Sequence, residues 1–376
     1  MISSPLIYLF TLALLATLFN LAEIKLKLKL FKYVPAVVMI YAFSMLLAGM
    51  GAFESNQEIN DIYALTKKNL LPAMLFLMLL QVDLRHFLKL GKSLIISYVL
   101  AVLSIAFAFV FVATLFSFDV NSSSAFGALA GSWMGGTANM IAVGSALNVT
   151  EEAFAYALVV DSVNYTLWVM LLLFLVPFAN RFNKFTKSDE NLAYLGDIGC
   201  ACGMGAKRYW LLIALALIVS LVSQVLADYI LFLNTNTTIV LLASLFGVAG
   251  SFTKLRELNG SSEVATTMLY VIIALIGSKA IFESFDGLLF YVGAGFLILV
   301  IHAIIMVIGA KIFKLDLFSV AVASLSNIGG VASAPILAAT YDKKLVSIGV
   351  LMAIMGYLIG TFGGLIVGNI LLSLAR

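Results

Sequence analysis

Apolar residues in this chain neither alternate with period two nor gather on a single helical stripe. They come in long, nearly unbroken blocks, at roughly 3–21, 33–52, 70–88, 93–117, 123–147, 152–178, 208–228, 237–252, 263–284, 287–311, 316–340 and 344–375. A block near 20 residues is the length an α-helix needs to cross a hydrocarbon layer. In lipid a helix satisfies its own backbone hydrogen bonds, which an open strand does not. The pattern therefore predicts an all-α polytopic membrane protein with ~11–13 transmembrane helices. One long polar stretch, RFNKFTKSDENLAYLGDIGCACGMGAKR (181–208), divides it into an N-terminal half (1–180) and a C-terminal half (209–376).

Composition narrows the class. Hydrophobic residues make up 63% and charged residues 11%, against about 25% charged in soluble domains. That leaves no room for a sizeable soluble domain, and no nucleic-acid signature is present. The first block lacks a basic start and a small-residue cleavage site, so it reads as a retained span rather than a signal peptide. Cys200 and Cys202 supply only two ligands, short of a structural metal site, and read as small loop residues. No paired-histidine motif, Cys-His set or carboxylate pair on one helix suggests an enzyme.

Charge is informative by position. Lys25, Lys27, Lys29 and Lys32 cluster after the first block, and Asp83–Lys92, Thr253–Glu257 and Lys311–Lys314 are further charged loops. Such loops belong on the cytoplasmic side, which puts the N-terminus and Glu283–Asp286 outside. Gln81, Asp83, Arg85 and His86 then read as a helix reaching the surface, and Lys279 as an interfacial anchor.

A displacement of 194 positions lays the second half on the first. Block 93–117 falls on 287–311, 123–147 on 317–341, and GSWMGGTA (131–138) on LSNIGGVA (325–332). Ser132 meets Ser326, Gly135 meets Gly329, Gly136 meets Gly330 and Ala138 meets Ala332. The loop charges call for inverted repeats, yet a shift of six spanning segments preserves orientation. The two readings conflict, and inversion is kept as the expectation.

A polar Gly-Gly break at the same place in two halves points to a secondary transporter's binding site. Unwound backbone at bilayer depth must face protein or a wet cavity. Half-helix N-termini there offer N–H donors, which favours an anionic group. Ser132, Thr137 and Asn139 in the first break, and Ser326, Asn327 and Ser333 in the second, add oxygens suited to a hard cation. Pro335 removes a further backbone donor. Trp133 suits either packing on a solute or ordinary helix packing. Asp161, about ten residues inside its block, costs about 3 kcal/mol to insert unless it is partnered or hydrated. Asn164 and Tyr165 share its helical face, so Asp161 is the expected coupling carboxylate, with Na⁺ held by Asp161, Asn139 and Asn327. His302 lies deep in its block and reads as a neutral side chain bonded to a neighbour, with proton relay the alternative. Gly356, Gly360, Gly364 and Gly368 form a flat stripe for close helix packing, with Tyr357 and Thr361 beside it.

With GSWMGGTANM, VVDSVNYTLW, SLSNIGGVASAPILAATY and GVLMAIMGYLIGTFGG in view, the chain resembles the YjcL-like group of membrane proteins. That group falls within the clan of cation–proton antiporters and anion transporters. The resemblance implies an NhaA-like or bile-acid-symporter-like fold, with two crossing broken helices in a core that moves against a panel. A homodimer is likewise implied by the resemblance. An Asp-Asp pair is absent, because Ser162 follows Asp161. Together these features predict a secondary active transporter of the cytoplasmic membrane. It would couple Na⁺ or H⁺ to a small organic anion or zwitterion by an elevator-like movement, with no cofactor beyond the coupling ion. Its partners would be the lipid bilayer and that solute. The alternatives are a cation/proton exchanger with no organic substrate, and a channel.

Overall fold

The computed structural model describes residues 1–26, 36–82, 87, 90–188, 205–230, 235–258, 260–279, 287–342 and 345–375. Lys27, Lys29, Lys32, Asp83, Arg85, His86, Cys200, Cys202 and the 283–286 loop lie outside the described residues.

The described chain is helical, its only β pairing being an isolated bridge between Ile2 and Phe53. The first half contains α1 (Pro5–Leu21), a π turn (Ala22–Leu26), α2 (Ala36–Gly49), α3 (Gln57–Leu79), α4 (Lys92–Phe116), α5 (Val120–Gly135), α6 (Thr137–Ala146), α7 (Glu151–Leu175) and, after one 3-10 turn, α8 (Ala179–Thr186). The second contains α9 (Ala206–Ala227), α10 (Thr235–Ser251), α11 (Ser261–Gly277), α12 (Leu288–Phe313), α13 (Leu317–Ile328), α14 (Gly330–Tyr341) and α15 (Val346–Leu374). Seven of these (α1, α3, α4, α7, α9, α12 and α15) are long and apolar enough to cross a membrane, and α2, α10, α11 and α13 are shorter apolar helices.

Start signals are local. Pro5 opens α1, where its missing N–H costs nothing. Asn56 caps α3, accepting from Ile59 N at 2.8 Å. Asp119 accepts from Ser122 N at 2.8 Å and Asp316 from Ser319 N at 2.8 Å, so α5 and α13 begin with the same Asp-x-x-Ser device. Polar Gln57–Asn69, outside the apolar blocks, is the first half of α3.

The two interrupted helices do not continue across the bilayer; each folds back. A Cβ on Gly131 would lie 2.8 Å from Val143 Cγ2, and one on Gly144 would lie 3.5 Å from the Ala128 methyl. In one continuous helix Ala128 and Gly144 would stand about 24 Å apart. Asp119, before α5, and Thr150, after α6, line the same cavity. At the other pair the Phe318 and Tyr341 rings, at the start of α13 and the end of α14, are 5.2 Å apart. The expected crossing broken helices are therefore two helical hairpins, α5–α6 and α13–α14, each returning to the end of the bundle it came from. Each hairpin block is about as long as a span, so block length alone does not separate the two arrangements.

Contacts assign the helix ends. Asn56 bonds the Ser3 carbonyl, Lys279 Nζ lies 2.6 Å from Asn60 Oδ1, Tyr63 reaches Glu151, and Asn236 reaches Asn148. These residues, with Asp119 and Gly287, define a first end. At the second end Glu23 meets Ala36, Gln81 meets Ser261, and Asn183 meets Leu317; Lys311 donates to the Phe185 carbonyl. Hairpin α5–α6 enters from the first end and α13–α14 from the second.

Helices α4–α7 pack with α12–α15, and α1–α3 pack with α9–α11. The largest helix–helix contact joins α5 to α15, and glycine makes it possible. A Cβ on Gly127 would sit 2.8 Å from Gly368 Cα, and one on Gly364 would sit 2.6 Å from Gly131 Cα. One on Gly135 would collide with the Gly356 carbonyl oxygen. The pairing runs antiparallel, backbone against backbone, as small-residue seams in membranes do. The stripe at Gly356–Gly368 thus has a specific partner, the longer arm of the first hairpin.

Candidate functional site

The hairpin tips are where glycine is required. Gly136 separates α5 from α6 at φ 91°, and Gly330 follows Gly329 at φ 59°. Residues with a Cβ avoid such conformations. Both tips line one cavity of about 230 Å³, through Ser132, Gly135, Gly136 and Thr137 on the first side and Gly329 and Gly330 on the second. Asp161 of α7 and Tyr357 of α15 belong to the same half of the lining, with Leu158, Ser162 and Ile328.

Asp161 is held by neutral donors. Trp133 Nε1 donates to Oδ1 at 2.8 Å, and Ser132 Oγ donates to Oδ2 at 3.1 Å. Trp133 is fully buried and packs edge-on against Phe109 with ring centroids 5.4 Å apart. It positions the carboxyl group rather than facing the cavity. Each carboxyl oxygen retains a lone pair for a further donor or cation.

Several expected ligands turn elsewhere. Asn139 spends its amide on the helices: Nδ2 donates to the Gly135 carbonyl at 2.8 Å and to the Gly356 carbonyl at 3.2 Å, while Oδ1 accepts from Thr361 Oγ1 at 2.6 Å. It ties the first tip to α15, and Thr361 takes one lone pair of the oxygen expected as a Na⁺ ligand. Asn164 faces away from the cavity, donating to the Val292 carbonyl of α12 at 3.2 Å. Ser326 and Asn327 are fully buried behind the second tip, and neither Ser326 Oγ nor Asn327 Oδ1 has a hydrogen-bond partner. Ser333 and the Tyr165 ring lie against Gly329.

His302 is remote from the cavity and joins four helices. Trp168 Nε1 donates to Ser324 Oγ at 2.9 Å, and Ser324 Oγ lies 2.8 Å from His302 Nε2. Nδ1 lies 2.6 Å from Ser104 Oγ, which donates to the Ala101 carbonyl at 2.9 Å. One consistent chain of donors places the imidazole proton on Nδ1, with Nε2 accepting. The bonds go to two serines rather than to a carbonyl.

The far wall of the cavity comes from the other helix group and was not legible in the sequence. Glu23 of the π turn, Val37 and Val38 of α2, Met78 of α3, and Thr266 and Tyr270 of α11 line it. All but Tyr270, which is at mid-helix, lie toward the second end of their helices. Glu23 Oε1 accepts from Ala36 N at 3.2 Å, and Oε2 accepts from Tyr270 Oη at 3.4 Å. No basic side chain among the described residues lines the cavity. No group of three or more His, Cys, Asp or Glu side chains among the described residues is placed to hold a metal.

At the first end the two helix groups are in contact. Tyr63 Oη donates to Glu151 Oε1 at 2.9 Å, and Lys67 Nζ donates to Tyr63 Oη at 3.4 Å. Asn236 Nδ2 donates to Asn148 Oδ1 at 2.8 Å, and Thr237 Oγ1 to the Ala146 carbonyl at 2.9 Å.

The long apolar helices and the two hairpins define a polytopic helical membrane protein. Residues 9–374 match the family described as "Protein of unknown function (DUF819)", and the chain belongs to that family. It is also similar to the "Uncharacterized membrane protein YjcL" of Bacillus subtilis (strain 168), at 22% identity over 384 residues, covering 90% of this chain and 91% of that protein.

Proposed function

We propose that this protein is a secondary active transporter that couples H⁺ or Na⁺ to the movement of a small polar solute by alternating access. The observation that carries the reading is the cavity in which both hairpin tips meet Asp161. Unwound backbone at bilayer depth must be buried in protein or line a wet cavity, and these tips line a cavity beside a carboxyl group. The wall from the second helix group lies toward the second end, while Tyr63–Glu151 and Asn236–Asn148 hold the first end together. Access from one end with the other closed is what one state of such a carrier requires.

Topology supports the same reading. Among the described residues, reading α1–α4 and α7, and α9–α12 and α15, as five crossings in each half with one pair folding back starts the second half from the opposite side. That odd count fits the loop charges and supports inverted repeats. Lys25, Lys92, Arg181, Lys184, Lys254, Arg256, Lys311 and Lys314 all sit at the second end, while Glu54, Glu58, Asp61, Asp119, Glu151 and Glu152 sit at the first. The basic end belongs in the cytoplasm of a cell's inner membrane.

The cavity, about 230 Å³, holds roughly eight waters at ~30 Å³ each, room enough for a small solute. The test is charge movement in proteoliposomes after Na⁺ or pH jumps, with wild type and Asp161→Asn. The reading expects an ion-dependent current in the wild type that the variant loses. Equal currents in both would remove Asp161 from coupling, and ohmic conduction without saturation would make the protein a channel.

A further inference from the structure

Resting on the carrier reading, we infer that Glu23 is a specificity-determining residue and that the solute is a small organic ammonium compound. The expectation of an anion came from half-helix N-termini. In a hairpin the tip also holds the C-terminus of the preceding arm: α5 ends where α6 begins, and α13 ends where α14 begins. Opposite poles of two helix dipoles therefore lie side by side and largely cancel at the cavity. The sign of the site is left to its side chains.

Those side chains are acidic. Asp161 enters from one helix group and Glu23 from the other, and no Lys, Arg or His among the described residues shares the cavity. The donors to both carboxyl groups are uncharged: an indole, a hydroxyl, a backbone amide and a phenol. A carboxylate in a largely apolar cavity is costly unless it meets a positive charge. An ammonium group supplies that charge and donates hydrogen bonds to the free lone pairs. Leu158, Ile328, Val38 and Leu269 provide apolar wall for a short carbon chain between the acids. Because Asp161 and Glu23 belong to different helix groups, a solute bound to both would be held only while those groups face each other as they do here.

The experiment uses the full chain in lipid nanodiscs, with 1,4-diaminobutane as probe and succinate as its length-matched opposite. Thermal stability and isothermal titration are read with and without Na⁺. The diamine is expected to bind saturably and raise the melting temperature, and succinate to do neither. Glu23→Gln should weaken diamine binding at least tenfold. Thr266→Lys leaves Glu23 and its partners in place but puts an ammonium into the cavity, and it should also abolish diamine binding. Undiminished diamine binding in Glu23→Gln or Thr266→Lys, or succinate binding in preference to the diamine, overturns the inference. So does absence of diamine binding while the Na⁺ or pH response persists, in which case the carrier reading stands. Loss of both responses in wild type removes the carrier reading as well.

Discussion

Replacing Tyr63 by Phe removes one oxygen from a contact between the two helix groups and little else. The ring remains, and with it the packing against Lys67 and Lys279, whose ammonium groups lie 5.5 and 5.8 Å from its centroid. Besides the longer bond from Lys67 Nζ of the same helix at 3.4 Å, the loss between the helix groups is the hydrogen bond to Glu151 Oε1 at 2.9 Å, a bond from a neutral donor to a carboxylate. Such bonds contribute about 1.5–3 kcal/mol. Glu151 is only partly buried, so water offsets part of the loss, and the low end applies. About 1.5 kcal/mol changes an equilibrium constant roughly tenfold. If the contact holds the first end closed, the fraction of molecules open at that end should rise by about that factor. The assay is labelling of a single cysteine at Ser162, a cavity residue, in a Cys200→Ala, Cys202→Ala background. A membrane-impermeant maleimide is applied to sealed vesicles of each orientation. Labelling from the first end should speed up about tenfold in Tyr63→Phe, and labelling from the second end should slow slightly. Unchanged rates from both sides in a stably folded variant would refute the assignment of this contact as a closure.

Other consequences are checked by thermal unfolding in detergent. Gly136→Ala meets no atom within 4 Å yet must adopt φ 91°, so it should lose about 1–3 kcal/mol from backbone strain alone. Gly364→Val drives a side chain into the backbone of α5, where Gly131 Cα would already lie 2.6 Å from a Cβ. A drop of at least ~1–3 kcal/mol is expected from overpacking, and infrared spectra should show the helices themselves intact. Gly293→Ala, on an open face of α12, is the control and should be neutral or stabilising by up to ~1 kcal/mol. His302→Phe leaves Ser324 and Ser104 without their shared partner, at an expected cost of ~1–3 kcal/mol; His302→Gln, which can both donate and accept, should recover part of it.

Much of the site could be read before the fold was known. Gly135 and Gly329 announced themselves because Gly-Gly with Ser and Asn has no place in an ordinary span, and Asp161 because an acid at that depth needs a partner. The stripe from Gly356 to Gly368 declared a close neighbour without naming it. What was hidden has physical causes. A block of about 25 apolar residues serves equally for one crossing or for two short arms, so the fold-back of α5–α6 and α13–α14 left no local trace. Glu23 stands in AEIKLKLKL, where its lysine neighbours make it look like part of a membrane-edge anchor; only the return of α2 and the approach of α11 bring it to the cavity. Asn139 and Asn164 were read as ligands from residue type; in the structure their amide nitrogens donate to carbonyls of neighbouring helices. Tyr63 and Glu151 are 88 residues apart, beyond any periodicity argument.

The glycine seam between α5 and α15 limits how the protein can move. Where two backbones touch with no side chains between them, there is nothing to shear, rotate or re-pack, and Asn139 rivets the same junction from the tip. The first hairpin is thereby welded to the last helix, and its tip has no freedom to lift by itself as a flap would. On the carrier reading, a rearrangement that exposes Asp161 to the opposite face would carry hairpin and helix together as one block, sliding against α3, α10 and α11.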